Sequence, residues 1–328
     1  MNSCVTLEQK EVLQSISYEL VVGFNFSLTA ISFLFTTIAI IKLLSQSIIQ
    51  SSTKIFLLSS LFYVFVQNIA YGKLKINMIW DLLFKMNDSC YPYYKITDCL
   101  FILKGLMMAS CGLMVNQSFM SLDRIFHLIS PGFYKDLRTI PAWIAVIVTF
   151  FVSFFTFEIL TIGDPLEGQV LTCAYFPRKS AKHYELFLST IFYLSIAHFI
   201  IDTIIFKLVL MRKQKVNSFN MLEKYHAKES LKSIQYVVLI SSVQFLAQVL
   251  SSWCVSVFLN VGTFLSSSYY AITSSLTYSL PYFCVIHPIL IIWMLRRTRI
   301  ERQQSIQKMR SQRETQDEHM SRMTDAWA

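Results

Sequence analysis

An acid and a base stand side by side at the end of an apolar run in NQSFMSLDRIFHLISPGFYK, residues 116–135. Where water is scarce, Asp123 and Arg124 can satisfy one another, and an arginine held this way in one state can be released to a partner or to another helix in a second. A charged pair is also an ordinary stop signal at a membrane interface, so its depth in the chain has to decide between the two. Two further ionisable residues interrupt apolar sequence: Lys104, in LFILKGLMMAS, and Glu158, in FFTFEILTIG. Within a membrane such residues are functional candidates by default, and these two suit binding of a polar ligand or of each other. Snorkelling of Lys104 to the interface is the plainer alternative. His198 and Asp202 lie four apart, hence on one helical face, as a buried hydrogen-bonded pair or, less simply, a proton relay. His287, next to Pro288, suits a bond to a backbone carbonyl. Enzymatic chemistry has no foothold: there is no His-Glu-x-x-His, no glycine-rich phosphate loop, and the seven cysteines form no Cys-x-x-Cys. No catalytic residue, metal or cofactor is expected.

The elements that must position these residues are membrane helices. With 54% apolar and only 15% charged residues in 328, the chain is too apolar for an ordinary soluble domain. A helix needs about 20 mostly apolar residues to cross the hydrocarbon core. Seven runs qualify, at 20–41, 55–71, 100–122, 140–162, 186–211, 234–258 and 269–295. Their unbroken length excludes the ten-residue alternation of a membrane barrel. The fold expected is an all-α seven-transmembrane helix bundle, with a tail of residues 1–19 before it and a basic tail, 296–328, after it. Pro281 and Pro288 are expected to bend the seventh helix.

The net charge of +9 is a topology signal rather than a nucleic-acid footprint. Of the 29 lysines and arginines, 20 fall on the side holding the first, third and fifth connections and the C-terminal tail, and 8 on the other. The positive-inside rule then puts the N-terminus outside and the C-terminus in the cytoplasm, with the basic tail against anionic membrane lipid. The weak point is the connection after the second run, which carries Lys73, Lys75, Lys85 and Lys95 on the outer side. In that connection Asn87 opens a glycosylation sequon, Asn87-Asp88-Ser89.

Asp123-Arg124 at the inner end of the third of seven helices resembles the Asp-Arg-Tyr region of rhodopsin-like G-protein-coupled receptors. Those receptors pair a cysteine at the outer end of helix three with one in the loop after helix four. Cys99 precedes Arg124 by 25 residues, about 37 Å of helix, and Cys173 occupies the loop. The resemblance therefore implies a Cys99–Cys173 bridge, with Cys90 and Cys4 as competing partners. A closer similarity is to nematode serpentine chemoreceptors of the Sra class. It is carried by SSTKIFLLSSLF, SCYPYYKITDC, SFMSLDRIFHLISPGFY and SLPYFCVIHPILIIWMLRRTRI, spread over most of the chain. Ile125 stands where rhodopsin-like receptors have Tyr, His287-Pro288 with Ile291 replaces Asn-Pro and its later Tyr, and the second helix lacks the sodium-site acid. Trp253 is the candidate for the aromatic switch of helix six.

The resemblance implies a chemosensory receptor of sensory neurons, at the plasma membrane, that detects a small-molecule cue and activates a heterotrimeric G protein. Lys104 and Glu158 would then lie near the wall of an outer ligand cavity, with Tyr269 and Tyr270 at its mouth. Asp123, Arg124, Trp253, His287 and Pro288 would form the switch. A seven-helix ligand-gated channel or transporter, or a membrane partner protein without signalling, is the rival reading.

Overall fold

The computed structural model describes residues 11, 14–46, 49–84, 94–129, 139–164, 166–167, 169–170, 173, 180–215, 234–247, 249–250, 275–276 and 278–327. Seven helices run through them: α1 (Ile16–Ser45), α2 (Ser51–Phe84), α3 (Ile96–Ile129), α4 (Ile140–Leu160), α5 (Ala181–Lys215), α6 (Ile234–Ala247) and α7 (Leu280–Trp327). All but α6 are long and apolar enough to cross a membrane; α6 is apolar but shorter over its described residues.

The chain marks several helix ends chemically. Ser15 caps α1 by accepting the Tyr18 N–H, with Glu19 in the first turn and Lys42 in the last, each favourable to the helix dipole. A proline stands in the first turn of α4, where no backbone N–H is needed. The same rule corrects one expectation. Residues 278–279 are not helical, and α7 begins at Leu280, so Pro281 falls in the first turn and bends nothing. Pro288 alone lies inside the helix. Another correction concerns α2, which runs to Phe84 rather than ending near 71. Lys75 and Asp81 read as loop residues, yet both are buried, because a polar side chain facing the bundle does not end a helix. α7 has 48 residues, about 72 Å against a hydrocarbon core of roughly 30 Å, so it continues well past the membrane into the basic tail.

α3 is the central helix, packed against α2, α4 and α5, while α1 packs on α2 and α7. α6 completes the ring through Val237 against Phe56 and Met120, Ile240 against Leu57 and Ile291, and Ile234 against Ile205 and Val209. Lipid supplies no hydrophobic drive between helices, so close approach and polar ties must hold them. Gly105 and Gly112, one heptad apart on α3, let α2 come close. A Cβ at 105 would meet Ala70 Cβ at 2.7 Å, and one at 112 would meet the Tyr63 ring at 2.1 Å. Tyr63 is thus wedged against α3, and its hydroxyl accepts from Ser153 of α4 at 3.3 Å.

The tie between α1 and α7 answers a defect. Pro288 has no N–H, so the carbonyl four residues earlier, on Cys284, loses its helical donor. Ser32 Oγ of α1 donates to that carbonyl at 2.7 Å, in a place where both groups are buried. In hydrocarbon an unsatisfied carbonyl has no water to turn to.

Across one end of the bundle, β1 (Tyr94–Lys95) pairs antiparallel with β2 (Gln169–Val170). A disulfide joins Cys99, in the first turn of α3, to Cys173, fastening the connection after α4 over α3. Asp164 steadies the same connection, accepting from Leu166 N at 3.1 Å and from Ser180 Oγ, at the start of α5, at 2.7 Å. Cys4 and Cys90, the competing partners, lie outside the described residues.

Two stability tests follow from this packing, both read by thermal unfolding of the purified chain as its buried thiols Cys111 and Cys284 become reactive. Gly112→Ala is expected to destabilise by about 1–3 kcal/mol through overpacking against Tyr63. Gly23→Ala, with nothing within 4 Å, is its control and should be neutral or better. Ser32→Ala should cost about 1 kcal/mol in the presence of Pro288 and much less in Pro288→Ala, where the helix supplies the missing donor itself. Equal losses in both backgrounds would show that the carbonyl is not what Ser32 serves.

Candidate functional site

The bundle carries polar groups at three levels. At the end opposite the disulfide, the last turns of α3 place Arg124 against the start of α2. Its guanidinium is 1% exposed. Nη2 lies 2.8 Å from Asp123 Oδ2, donates to Thr53 Oγ1 at 2.6 Å and to Ser52 Oγ at 3.4 Å, while Nη1 donates to Gln50 Oε1 at 2.9 Å. Ser52 in turn donates to Asp123 at 3.3 Å. The start of α2 therefore holds both members of the pair, and Asp123 gains from that helix's N-terminal dipole. Nε of Arg124 has no protein partner, so the buried guanidinium is held but not saturated. Removing one partner of such a pair leaves a buried charge unanswered.

Midway along α3, Gln117, Ser118 and Ser121 face α5. Asp202 accepts from Gln117 Nε2 at 3.1 Å and from Ser121 Oγ at 2.7 Å, and Ser241 of α6 also bonds to it. His198 Nε2 lies 2.8 Å from Ser118 Oγ, which is also 3.0 Å from the Met114 carbonyl of its own helix. The four-residue spacing does put His198 and Asp202 on one face. Each takes its partner from α3, however, instead of pairing with the other. His287 likewise departs from expectation: it bonds the Ser60 hydroxyl of α2 at 2.9 Å, not a backbone carbonyl. Ser60 Oγ also lies 2.8 Å from the Leu57 carbonyl of its own helix. Asn116 closes this level by donating to the Phe56 carbonyl at 3.1 Å.

At the disulfide end, the structure brings Lys104 and Glu158 together, Nζ to Oε1, at 2.5 Å. Their side chains are 49% and 44% exposed, beside the exposed apolar residues Phe101, Phe154, Phe155 and Ile159. In a membrane helix, exposed apolar side chains mark the perimeter, and the pair sits at the α3–α4 seam along it. Each charge answers the other there, with Lys104 also 5.6 Å from the Phe157 ring centroid. The ring's interior at this end is lined instead by residues that the sequence reading passed over. Tyr71 and Tyr278 have ring centroids 5.5 Å apart, and Tyr278 accepts from Gln67 Nε2 at 3.2 Å. Lys75 and Asn25 converge on Ser275 Oγ, both at 3.3 Å. The signal was present in sequence: Val64, Gln67, Asn68, Tyr71 and Lys75 repeat at helical spacing, continuing the buried face of α2 beyond its apolar run. Tyr269, Tyr270, Trp253 and Asn87 lie outside the described residues.

Comparison with known proteins fits this geometry. Residues 1–327 match the family described as serpentine type 7TM GPCR chemoreceptor Sra. The chain is 32% identical over 328 residues to serpentine receptor class alpha-13 of Caenorhabditis elegans, covering 99% of this chain and 97% of that protein. It is 34% identical over 325 residues to serpentine receptor class alpha-11 of the same organism, again covering 99% and 97%.

The Lys104–Glu158 contact has a direct check. Lys104→Met and Glu158→Gln are each expected to lower the amount of protein reaching the cell surface, because each leaves one charge unpaired in apolar surroundings. The double variant should recover to within about twofold of the parent, since a half-exposed pair contributes little net stability. Surface biotinylation followed by quantification reads the difference. A double variant worse than both singles would mean that the two act separately.

Proposed function

The chain belongs to the Sra family of serpentine seven-transmembrane chemoreceptors, and from that premise we propose that it is a chemosensory receptor coupling a small-molecule cue at the disulfide end to a heterotrimeric G protein at the Arg124 end. The observation that carries this reading is the buried Arg124, tied to Asp123 and to the first turn of α2 at the end of the central helix. Such a cluster is a two-state element: closed while the guanidinium is held, open once it is released to a partner.

Three features support the orientation, with the N-terminus outside and the C-terminus cytoplasmic. The disulfide belongs on an oxidising side, which makes its end the outer one. The basic sequence of 207–232 and of the tail from Arg296 then lies inside, against anionic lipid and the G protein. Lys73 and Lys75, which weighed against this arrangement as loop residues, belong to α2.

The α3–α5–α6 cluster at Asp202 is the link between the ends. A cue that favours one packing of α5 and α6 against α3 shifts the population of the Arg124 lock, with no need for contact between cue and lock. In this reading Tyr269 and Tyr270 border the cue's entrance, Trp253 moves with α6, and His287-Pro288 forms the bend around which the inner part of α7 turns. Asn87 carries a glycan on the outer connection. The receptor works at the plasma membrane of a sensory neuron.

Nucleotide exchange in membranes containing the receptor and a heterotrimeric G protein tests the lock without knowledge of the cue. Thr53→Val removes the shortest neutral bond holding Arg124 and is expected to raise basal exchange by up to about tenfold. Arg124→Ala is expected to abolish both basal and stimulated exchange at unchanged surface level. Exchange that ignores both substitutions would remove Arg124 from the coupling mechanism.

A further inference from the structure

Lys75 is a buried amine with no acid beside it among the described residues. The side chain is 3% exposed, on the inward face of α2, within the disulfide end of the ring. Nζ makes one hydrogen bond, 3.3 Å to Ser275 Oγ, and stands 5.0 Å from the centroid of the Tyr71 ring. Among the described residues no carboxylate comes within ion-pair distance of it. Contrast Arg124 and Lys104, each of which has its acid within 3 Å. Burying an ammonium without an anion is unfavourable by several kcal/mol, and one hydroxyl and a ring face offset only part of that. An apolar side chain at this inward-facing position would avoid that cost.

The polar groups around Lys75 include further donors. Tyr278 accepts from Gln67, which leaves its own hydroxyl proton to give, and its ring lies against Tyr71 beside the Lys75 amine. Ser275 accepts from Lys75 and from Asn25, so its proton too is free for an acceptor. Lys75, Ser275 and Tyr278 thus present donors around Tyr71, while Asn25 Oδ1 and Gln67 Oε1 are buried acceptors without a protein partner. A cluster of donors centred on a positive charge, with apolar Leu74, Leu103 and Met107 close by, is complementary to a carboxylate on an apolar body.

We propose that the cue of this receptor is a carboxylic acid, and that Lys75 is the residue that binds its carboxylate. The inference rests on the receptor reading above and narrows it to a ligand class. Two sources supply that chemistry: a small acid from the aqueous side, or a fatty acid from the surrounding membrane.

The test uses the purified full-length chain in a neutral detergent at constant ionic strength, with thermal unfolding as the readout. Propionate, hexanoate, benzoate and oleate are each compared with the corresponding primary amide, on the parent and on Lys75→Met. At least one acid is expected to raise the midpoint by about 3 °C or more near saturation, with its amide inert. Lys75→Met is expected to lose that shift and to melt above the parent when no acid is present, because the unpaired charge is gone. A purely structural lysine would instead leave the variant less stable. Shifts confined to the three short acids identify an aqueous cue; a shift with oleate alone identifies a membrane-derived one. An amide as effective as its acid, a shift that persists in Lys75→Met, or no shift with any acid overturns the proposal. Should Lys75→Met fail to fold, the acid-over-amide contrast in the parent and its weakening in Tyr278→Phe decide. Melting involves no G protein. Absent acid dependence with intact Arg124-dependent exchange therefore removes the acid alone, whereas lost exchange with an intact acid shift removes the coupling and leaves the binding site.

Discussion

In the hydrocarbon core of a membrane no water completes a broken hydrogen bond, and that constraint organises this bundle. Pro288 breaks one inside α7, and Ser32 on α1 repairs it, so a local backbone defect becomes a contact between two helices. The same requirement explains why so many serines and threonines here donate to the carbonyl one turn earlier in their own helix, as Thr29, Thr36, Ser110, Thr149 and Thr156 do. Hydroxyls that would otherwise need water are satisfied without leaving the helix. Ser60 and Ser118 do both, bonding a carbonyl of their own helix and also His287 and His198 across the bundle, and so serve as contacts between helices.

α3 concentrates these crossings. Gly105 and Gly112 bring it within backbone distance of α2, and below them Asn116, Gln117, Ser118 and Ser121 turn successive faces to α2 and α5. Arg124 ends the series. A change in how α5 and α6 pack around Asp202 therefore acts on the same helix that carries the Arg124 cluster, about one to two turns away. Packed helices shift between discrete arrangements rather than deforming smoothly, which is what a receptor switch requires.

The charged residues divide by environment. Lys104 and Glu158 are half exposed and answer each other on the perimeter. Asp123 and Arg124 are buried and answer each other, yet both also depend on the first turn of α2 and are exposed to its movement. Lys75 is buried, with no carboxylate at ion-pair distance among the described residues. Cost rises along this order, and a costly arrangement that packing alone does not need is where a ligand or a partner is to be sought.

How much of this was legible in the chain follows from the range of each interaction. Apolar run length and the placement of lysines and arginines are local properties, so the helical membrane class, the approximate helices and the prominence of Asp123-Arg124 could be read directly. Cys99 and Cys173 could be paired only through resemblance, because two cysteines 74 residues apart have no sequence signal of contact. The end of α2 was misjudged because hydropathy counts a lysine as polar whichever way it faces, and only neighbouring helices decide that Lys75 faces inward. Pro281 and Pro288 look alike in sequence; the position of the helix start makes one harmless and puts the other inside the helix, where it removes a backbone donor. Lys104 and Glu158 could be placed at one depth, but their direction around the helix axis depended on where α4 packed. The sequence by itself determined where the apolar membrane helices run and that Lys104, Asp123, Arg124 and Glu158 lie within them, since run length depends on residues near in the chain; that Lys75 also lies within one it left hidden. The tertiary structure alone decided which of those charges are paired, shared or left bare, because that is set by helices tens to hundreds of residues apart.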